Sequence, residues 1–278
     1  MRWPPFEHIF FDCDSTLTTV EGIDVLAESM GKRQRVEILT QAAMDGTIEL
    51  DDIYSKRLKT LRPTRRQVLD IRHHYRQNIV EDAAHVVAAL QALGHKVYII
   101  SGGLFEPVAE FGAYLGVPRE RIRAVGIAYN ELSGHWWDRT ETDDKRYMAY
   151  THDALTFSNG KAQIVRELLG DQRGRSLLIG DGNSDLLASP AVDLFVGYGG
   201  VVTRPIVRDK APVFIQCTSM APLLGLAGGP AELRILSKWS MFYQSLSLKA
   251  HYLIQKGVLK FNDEHLETKF RGAFLPSQ

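Results

Sequence analysis

Apolar residues along the chain fall into two textures. Short unbroken runs, Ile9-Phe10-Phe11, Val97-Tyr98-Ile99-Ile100, Leu177-Leu178-Ile179, Leu194-Phe195-Val196 and Val213-Phe214-Ile215, have the length and composition of strands buried on both faces. Between them, apolar positions recur every three or four residues. Ala83 to Leu93 closed by Gly94, Phe105 to Leu115 closed by Gly116, and a segment from Gly160-Lys161 to Leu169 therefore read as helices. Strands alternating with helices predict an α/β fold, a parallel sheet of five strands with right-handed crossovers.

Three segments break that alternation. Val20 to about Tyr75 carries its apolar residues at helical intervals and holds no strong strand; Gly22, Gly31 and Gly46 punctuate it, and Pro63 is expected to open its last helix after a cap at Leu61-Arg62. Arg123 to Asp144 alternates and is rich in aromatics, which suggests a β-hairpin or edge strands. From about Gly229, Leu236, Trp239, Tyr243, Leu246, Ala250 and Leu253 form a stripe at three- and four-residue steps, the mark of one long amphipathic helix. That stripe either packs on the domain or offers a surface to a second copy or another partner. The expected division is a core of residues 1–18 and 78–228, a helical cap over 19–77, and a C-terminal helical extension over 229–278.

Polar residues follow three of the strands. At the carboxyl ends of parallel strands such residues share one crevice, where open α/β sheets bind ligands. The first run stops at Asp12-Cys13-Asp14-Ser15-Thr16, another at Ser101-Gly102-Gly103, and a third at Gly180-Asp181-Gly182-Asn183-Ser184-Asp185. Two carboxylates about 4 Å apart repel by roughly 4 kcal/mol at an effective dielectric near 20, so Asp12 and Asp14 call for a cation or a proton. A solvated acidic loop is the plainer alternative for that pair alone. Magnesium, a hard ion that takes one or two carboxylates plus phosphate oxygens, is the fitting cation, held by Asp12, the Asp14 main chain and Asp181.

With such an ion, Asp12 can attack phosphorus as a carboxylate nucleophile. Asp14 can protonate the leaving alkoxide and later deprotonate the attacking water. Lys161, the Ser101 hydroxyl and the Gly102 amide can donate to the phosphoryl oxygens. Any one of these groups alone means little; their joint appearance at strand ends, in this order, points to phosphoryl chemistry.

Composition narrows the partners. Among 278 residues, 33 Lys and Arg balance 33 Asp and Glu, so no global field draws the chain to nucleic acid or to an anionic membrane. No run reaches the length of a membrane span, and the start lacks the apolar core of a signal peptide. Two cysteines, Cys13 and Cys217, argue against a disulfide scaffold. A cytoplasmic protein acting on a small molecule is expected. Gly197 to Val202 lacks the spacing of a dinucleotide loop, the adjacent His73 and His74 point apart on a helix, and Cys13 lies between two carboxylates that suppress its thiolate.

The four stretches Asp12 to Thr16, Ser101 to Gly103, Lys161, and Gly180 to Asp185 resemble the four motifs of the haloacid dehalogenase superfamily of phosphohydrolases. Over roughly Phe6 to Leu224, Glu21-Gly22-Ile23-Asp24, Ala43-Met44, Arg57 and Phe195-Val196-Gly197-Tyr198-Gly199-Gly200 are similar to its phosphoserine phosphatase branch. The resemblance implies a Rossmann-like core with a four-helix cap, magnesium dependence, and hydrolysis of O-phospho-L-serine to L-serine and phosphate through an aspartyl-phosphate. It makes Asp12 the nucleophile and Asp14 the general acid/base. Glu21 and Arg57 would face the substrate's ammonium and carboxylate, Met44 would line the cap, and Ser101, Gly102, Lys161 and Ser184 would complete the substrate site. A zwitterion does need one negative and one positive partner, and Arg reads a carboxylate bidentately.

The chain departs from the pattern at Leu50, where relatives carry an aromatic, at Asp45 in place of a glycine, at Ser184 in place of Asn or Thr, and in a longer stretch from His135 to Phe157. These lie at or near the substrate pocket, so the same chemistry on another small phosphomonoester, or transfer to an alcohol, stays open. A non-catalytic phospho-ligand sensor is the alternative from another class, and the intact Asp12, Asp14, Lys161 and Asp181 count against it.

Overall fold

The structure is a computed structural model that describes residues 3–44, 50–130 and 145–274, with the side chains of 40–44 and 50–53 left out. The chain opens with β1 (His8–Phe11) and continues through four helices, α1 (Gly22–Ser29), α2 (Arg33–Met44), α3 (Leu50–Leu61) and α4 (Arg65–Gln77). Then come α5 (Ala83–Ala92), β2 (Lys96–Leu104), α6 (Phe105–Tyr114), β3 (Ile122–Val125), β4 (Ile127–Tyr129) and β5 (Tyr147–Tyr150). The second half contains α7 (Gly160–Leu169), β6 (Ser176–Gly180), α8 (Asn183–Ala188), β7 (Leu194–Tyr198), α9 (Pro205–Lys210) and β8 (Val213–Ile215). The chain closes with α10 (Pro222–Leu236), α11 (Met241–Gln255), β9 (Leu259–Phe261) and α12 (Glu264–Phe274).

Seven strands form one sheet in the order β3-β2-β1-β6-β7-β8-β9, parallel except for β9. This is the expected α/β fold, with helices flanking a mostly parallel sheet. β1 is buried along its whole length and pairs on both sides, Phe11 opposite Ile99 of β2 and Ile179 of β6. From β1 the chain runs outward through β2 to β3 and then returns to β6 on the other side. The strand order therefore reverses between β1 and β6, and the crevice at their carboxyl ends is the switch point where ligands bind in open α/β sheets. Asp12 and Asp181 follow those two strands.

Several local expectations change. Pro63 does not open α4: Thr64 caps it, its hydroxyl accepting from the Gln67 N–H while the Gln67 side chain accepts from the Thr64 N–H, a reciprocal cap that outcompetes proline's preset geometry. Two further strands, β3 and β9, join the expected five in the main sheet. Ile122–Val125 extends the main sheet, while β4 and β5 pair separately as an antiparallel ribbon, Ile127 opposite Tyr150. Residues 131–144, including His135, Trp136 and Trp137, lie outside the described residues, as do Asp45 and the Leu50 side chain.

The tail is not one long helix. α10 kinks at Gly229, whose φ of 69° is left-handed, and the chain turns again between Leu236 and Met241, so α11 folds back on α10 with the Ser247 hydroxyl donating to the Leu233 carbonyl at 2.7 Å. Leu236, Leu246 and Ala250 are buried as the stripe requires, while Trp239 stays 40% exposed at the turn. Gly257, at φ 78°, then reverses the chain and lets Leu259–Phe261 pair antiparallel with β8. Helical periodicity survives the break because each short helix still needs one buried face.

Candidate active site

The site is assembled by strand ends and fixed by glycines. The Asp12 N–H donates to the Ile179 carbonyl at 2.9 Å, prolonging the β1–β6 ladder and holding the Asp12 backbone at the crevice. Two residues on, Asp14 Oδ1 accepts from the Tyr75 hydroxyl at 2.6 Å and from the Gly22 N–H at 3.1 Å. Gly22 has to be a glycine, since a Cβ there would overlap the Tyr75 phenol.

At the end of β6, Gly180 leaves room for the Asp185 carboxylate, which accepts from the Gly182 N–H at 3.1 Å. Lys161, in the first turn of α7, ties these stretches together: its ammonium lies 2.7 Å from Asp12 Oδ1 and 2.6 Å from Asp185 Oδ1. Its helix starts against the Ala154 carbonyl, with no space for a Cβ at Gly160.

Opposite stands a second charge cluster. Arg204 donates to Asp181 Oδ2 at 3.0 Å and reaches Glu21 Oε1 at 3.5 Å. Glu21 also accepts from the Ser15 hydroxyl at 3.1 Å, and Asp181 from Thr16 at 3.3 Å. The Ser101 hydroxyl accepts from the Gly103 N–H at 2.9 Å. Asp12, Asp14, Glu21, Arg57, Ser101, Gly102, Lys161, Asp181 and Ser184 all line one cleft of about 390 Å³. Met44 ends α2, and its side chain lies outside the described residues.

So many acids in so little solvent repel. Burial, then the Glu21 charge, push Asp14 up to about 8, although the Tyr75 hydrogen bond opposes them. Burial and the Asp12 charge raise Asp181 to about 6 against Arg204, and Asp185 to about 7 against Lys161. Burial also raises Glu21 against the Arg204 charge. Burial works against the Lys161 charge, but Asp12 and Asp185 more than offset it and hold the ammonium protonated. Cys13 is raised first by burial and only then by its two acidic neighbours.

One oxygen each of Asp12, Asp181 and Asp185 lie within 4.8 Å of one another. Three buried carboxylates against two cations leave net negative charge, and all donors are hard oxygens, so a divalent metal fits this cluster.

Asp185 is thus a central residue that the sequence placed on the rim without a role. Its spacing of four from Asp181 at a strand-to-helix turn was the available signal. Arg204 carried no signal, being one arginine in a loop. Tyr75 shares the apolar stripe of α4 with Val68 and Ile71 and reads as core until its hydroxyl is seen on Asp14.

A mostly parallel sheet whose switch point gathers acids and a lysine is the arrangement of an α/β phosphohydrolase with a carboxylate-rich site, and comparison with known proteins agrees. The model of the haloacid dehalogenase-like hydrolases matches residues 9–189. The phosphoserine phosphatase of Drosophila melanogaster is 33% identical over 220 residues, 78% of this chain and 76% of that protein. That of Mus musculus is 31% identical over 219 residues, 78% and 91% of the two chains. A solved phosphoserine phosphatase described as a phospho-aspartyl intermediate analogue superposes with a TM-score of 0.64 at 22% identity, covering 79% of this chain and 98% of that one, a likeness of fold. The chain belongs to the haloacid dehalogenase-like hydrolases.

Proposed function

We propose that the protein hydrolyses O-phospho-L-serine to L-serine and phosphate, with magnesium as cofactor and with the phosphoryl group carried transiently on Asp12. The observation that carries the reading is the Asp12–Lys161–Asp185 cluster in a cleft that also presents the acidic Glu21 and the basic Arg57. The names of the fly and mouse relatives support the same substrate.

In the first half of the reaction an Asp12 oxygen bonds to phosphorus, the bond between phosphorus and the serine oxygen breaks, and Asp14 gives its proton to the leaving alkoxide. Asp14, raised to about 8, is protonated at neutral pH, as an acid for that step must be. In the second half water attacks phosphorus, Asp14 takes its proton, and the bond to Asp12 breaks, releasing phosphate. Tyr75 and Gly22 hold Asp14 oriented throughout.

Lys161, the Ser101 hydroxyl and the Gly102 amide serve the phosphoryl oxygens. Glu21 and Arg57 serve the ammonium and carboxylate, with Met44 and Ser184 at the margins of the pocket. Asp12 and Asp181, with the Asp14 main chain, are the expected magnesium ligands, and the closeness of an Asp185 oxygen to theirs supports Asp185 as a further one. When bound, the metal supplies neutralising charge between phosphate and carboxylate. The helices of residues 19–77 act as a cap that excludes bulk water from a core of residues 1–18 and 78–228.

The test is phosphate release from a panel of small phosphomonoesters in magnesium. O-phospho-L-serine should be turned over best, and Asp12→Asn should abolish turnover of every ester. Fast hydrolysis of another metabolite with none of phosphoserine, or an active Asp12→Asn protein, would overturn the reading.

A further inference from the structure

Tyr54 lies on α3 one turn before Arg57, so the two side chains share a helix face, and both line the cleft. Its ring packs on that of Tyr150 in β5, with centroids 5.2 Å apart, which fixes the phenol from the side of the ribbon. Its hydroxyl oxygen is buried and has no hydrogen-bond partner among the described residues. Buried hydroxyls are nearly always paired, because a lost hydration shell is otherwise uncompensated. A lone one on the wall of a binding cleft is accounted for when the ligand brings the partner. Burial, and after it the charge of Asp14, push Tyr54 well above the ordinary tyrosine value, so the phenol stays neutral and able to donate.

We propose that the Tyr54 hydroxyl is a specificity-determining donor that pairs with the substrate's carboxylate alongside the Arg57 guanidinium, an inference that rests on the phosphoserine reading above. The phosphoryl end of the substrate already has its donors in Lys161, Ser101 and Gly102, and the ammonium needs an acceptor, which Glu21 provides. The carboxylate is the group left with open acceptor sites. Two oxygens offer about four lone-pair sites, more than one guanidinium fills, and Arg57 lies within electrostatic reach of both Tyr54 and Glu21.

Tyr54→Phe removes the hydroxyl and keeps the ring on Tyr150. KM for O-phospho-L-serine and the inhibition constant of L-serine should each rise about tenfold, the scale of one hydrogen bond to a charged group. The inhibition constant of inorganic phosphate, which has no carboxylate, should not change. The melting temperature of the free protein should stay level or rise, since no partner is lost. Unchanged serine constants would overturn the proposal. So would an equal loss for serine and phosphate, which puts the hydroxyl at the phosphoryl end, or a lower melting temperature with serine binding intact, which makes it structural. A parent protein that neither hydrolyses phosphoserine nor binds serine removes the functional reading itself, and that is measured on the parent before any variant.

Discussion

Replacing Lys161 with methionine keeps most of the side-chain volume and removes the ammonium. In the native protein Nζ is 2.7 Å from Asp12 and 2.6 Å from Asp185, and the lysine is 4% exposed. Without it, two carboxylates with oxygens within 4.8 Å of each other face one another with little solvent. At an effective dielectric near 20 that repulsion is roughly 3.5 kcal/mol, and measured losses for removing one member of a buried ion pair run at about 3–5 kcal/mol. The two figures describe one loss and are not added. An unfolding entropy of about 2.1 cal/mol/K per residue makes 1 kcal/mol worth roughly 2 °C in a chain of 278 residues. Lys161→Met should therefore melt about 6–10 °C below the parent near pH 8.

The variant can relieve the repulsion by protonating one carboxylate. Its folded-state pKa then lies above the unfolded value near 3.9, the folded state holds more protons over that interval, and stability falls as pH rises through it. The deficit measured by thermal melting should shrink between about pH 8 and pH 5, while phosphate release stays undetectable. A deficit below about 1 kcal/mol, or one equal at both pH values, would refute the view that Lys161 neutralises the buried pair.

Magnesium at a hundredfold excess over Kd should stabilise the parent by about 2.7 kcal/mol, read as a higher melting temperature, and Asp181→Asn should remove most of that shift; an undiminished shift would place the metal elsewhere. Gly160→Ala should fold poorly or melt well below the parent with depressed turnover, because its Cβ would overlap the Ala154 carbonyl, a backbone group that cannot swing aside; normal activity and melting would contradict the packing at α7. Both ring nitrogens of His95 face acceptors, the Phe6 carbonyl at 2.6 Å and Glu232 at 2.8 Å, which only the charged ring satisfies. Burial alone would lower its pKa, but the Glu232 carboxylate outweighs it and the net shift is upward. The stability this gives is complete below about pH 6.5 and lost as pH rises through the folded value, with a slope of up to about 1.4 kcal/mol per pH unit. The buried acids Asp14, Asp181 and Asp185 titrate in the same window, so the measured quantity is the difference: stability of His95→Asn should fall less steeply with pH than that of the parent, and equal slopes would sink the assignment.

How much of this was legible depended on how local each signal is. The apolar runs of β1, β2, β6, β7 and β8 stand out because a strand buried on both faces needs nearly every residue to be apolar. β3 showed only as the hairpin or edge strand suggested by the alternation from Arg123, and β9 did not show at all, since a short antiparallel addition takes its pairing from a neighbour far along the chain. Thr64 displaced Pro63 as the start of α4 through a hydrogen bond that depends on which side chain reaches back, a matter of one residue.

The sequence by itself determined the alternation of strand and helix, and with it the sheet. It also put Asp12, Asp14 and Asp181 just past strand ends and Lys161 at a helix start, since each position follows from periodicity within a dozen residues; Ser101 it placed after β2, whereas that strand runs on to Leu104. Only the tertiary structure decided that Lys161 bridges Asp12 and Asp185, that Arg204 reaches across to Asp181, that Tyr75 reaches from the buried stripe of α4 to hold Asp14, and that the Tyr54 hydroxyl is buried with no partner among the described residues. Those contacts join residues that are mostly 20 or more positions apart, and contacts of that kind are set by how layers stack and which side chains fit the space between them, something no local pattern encodes.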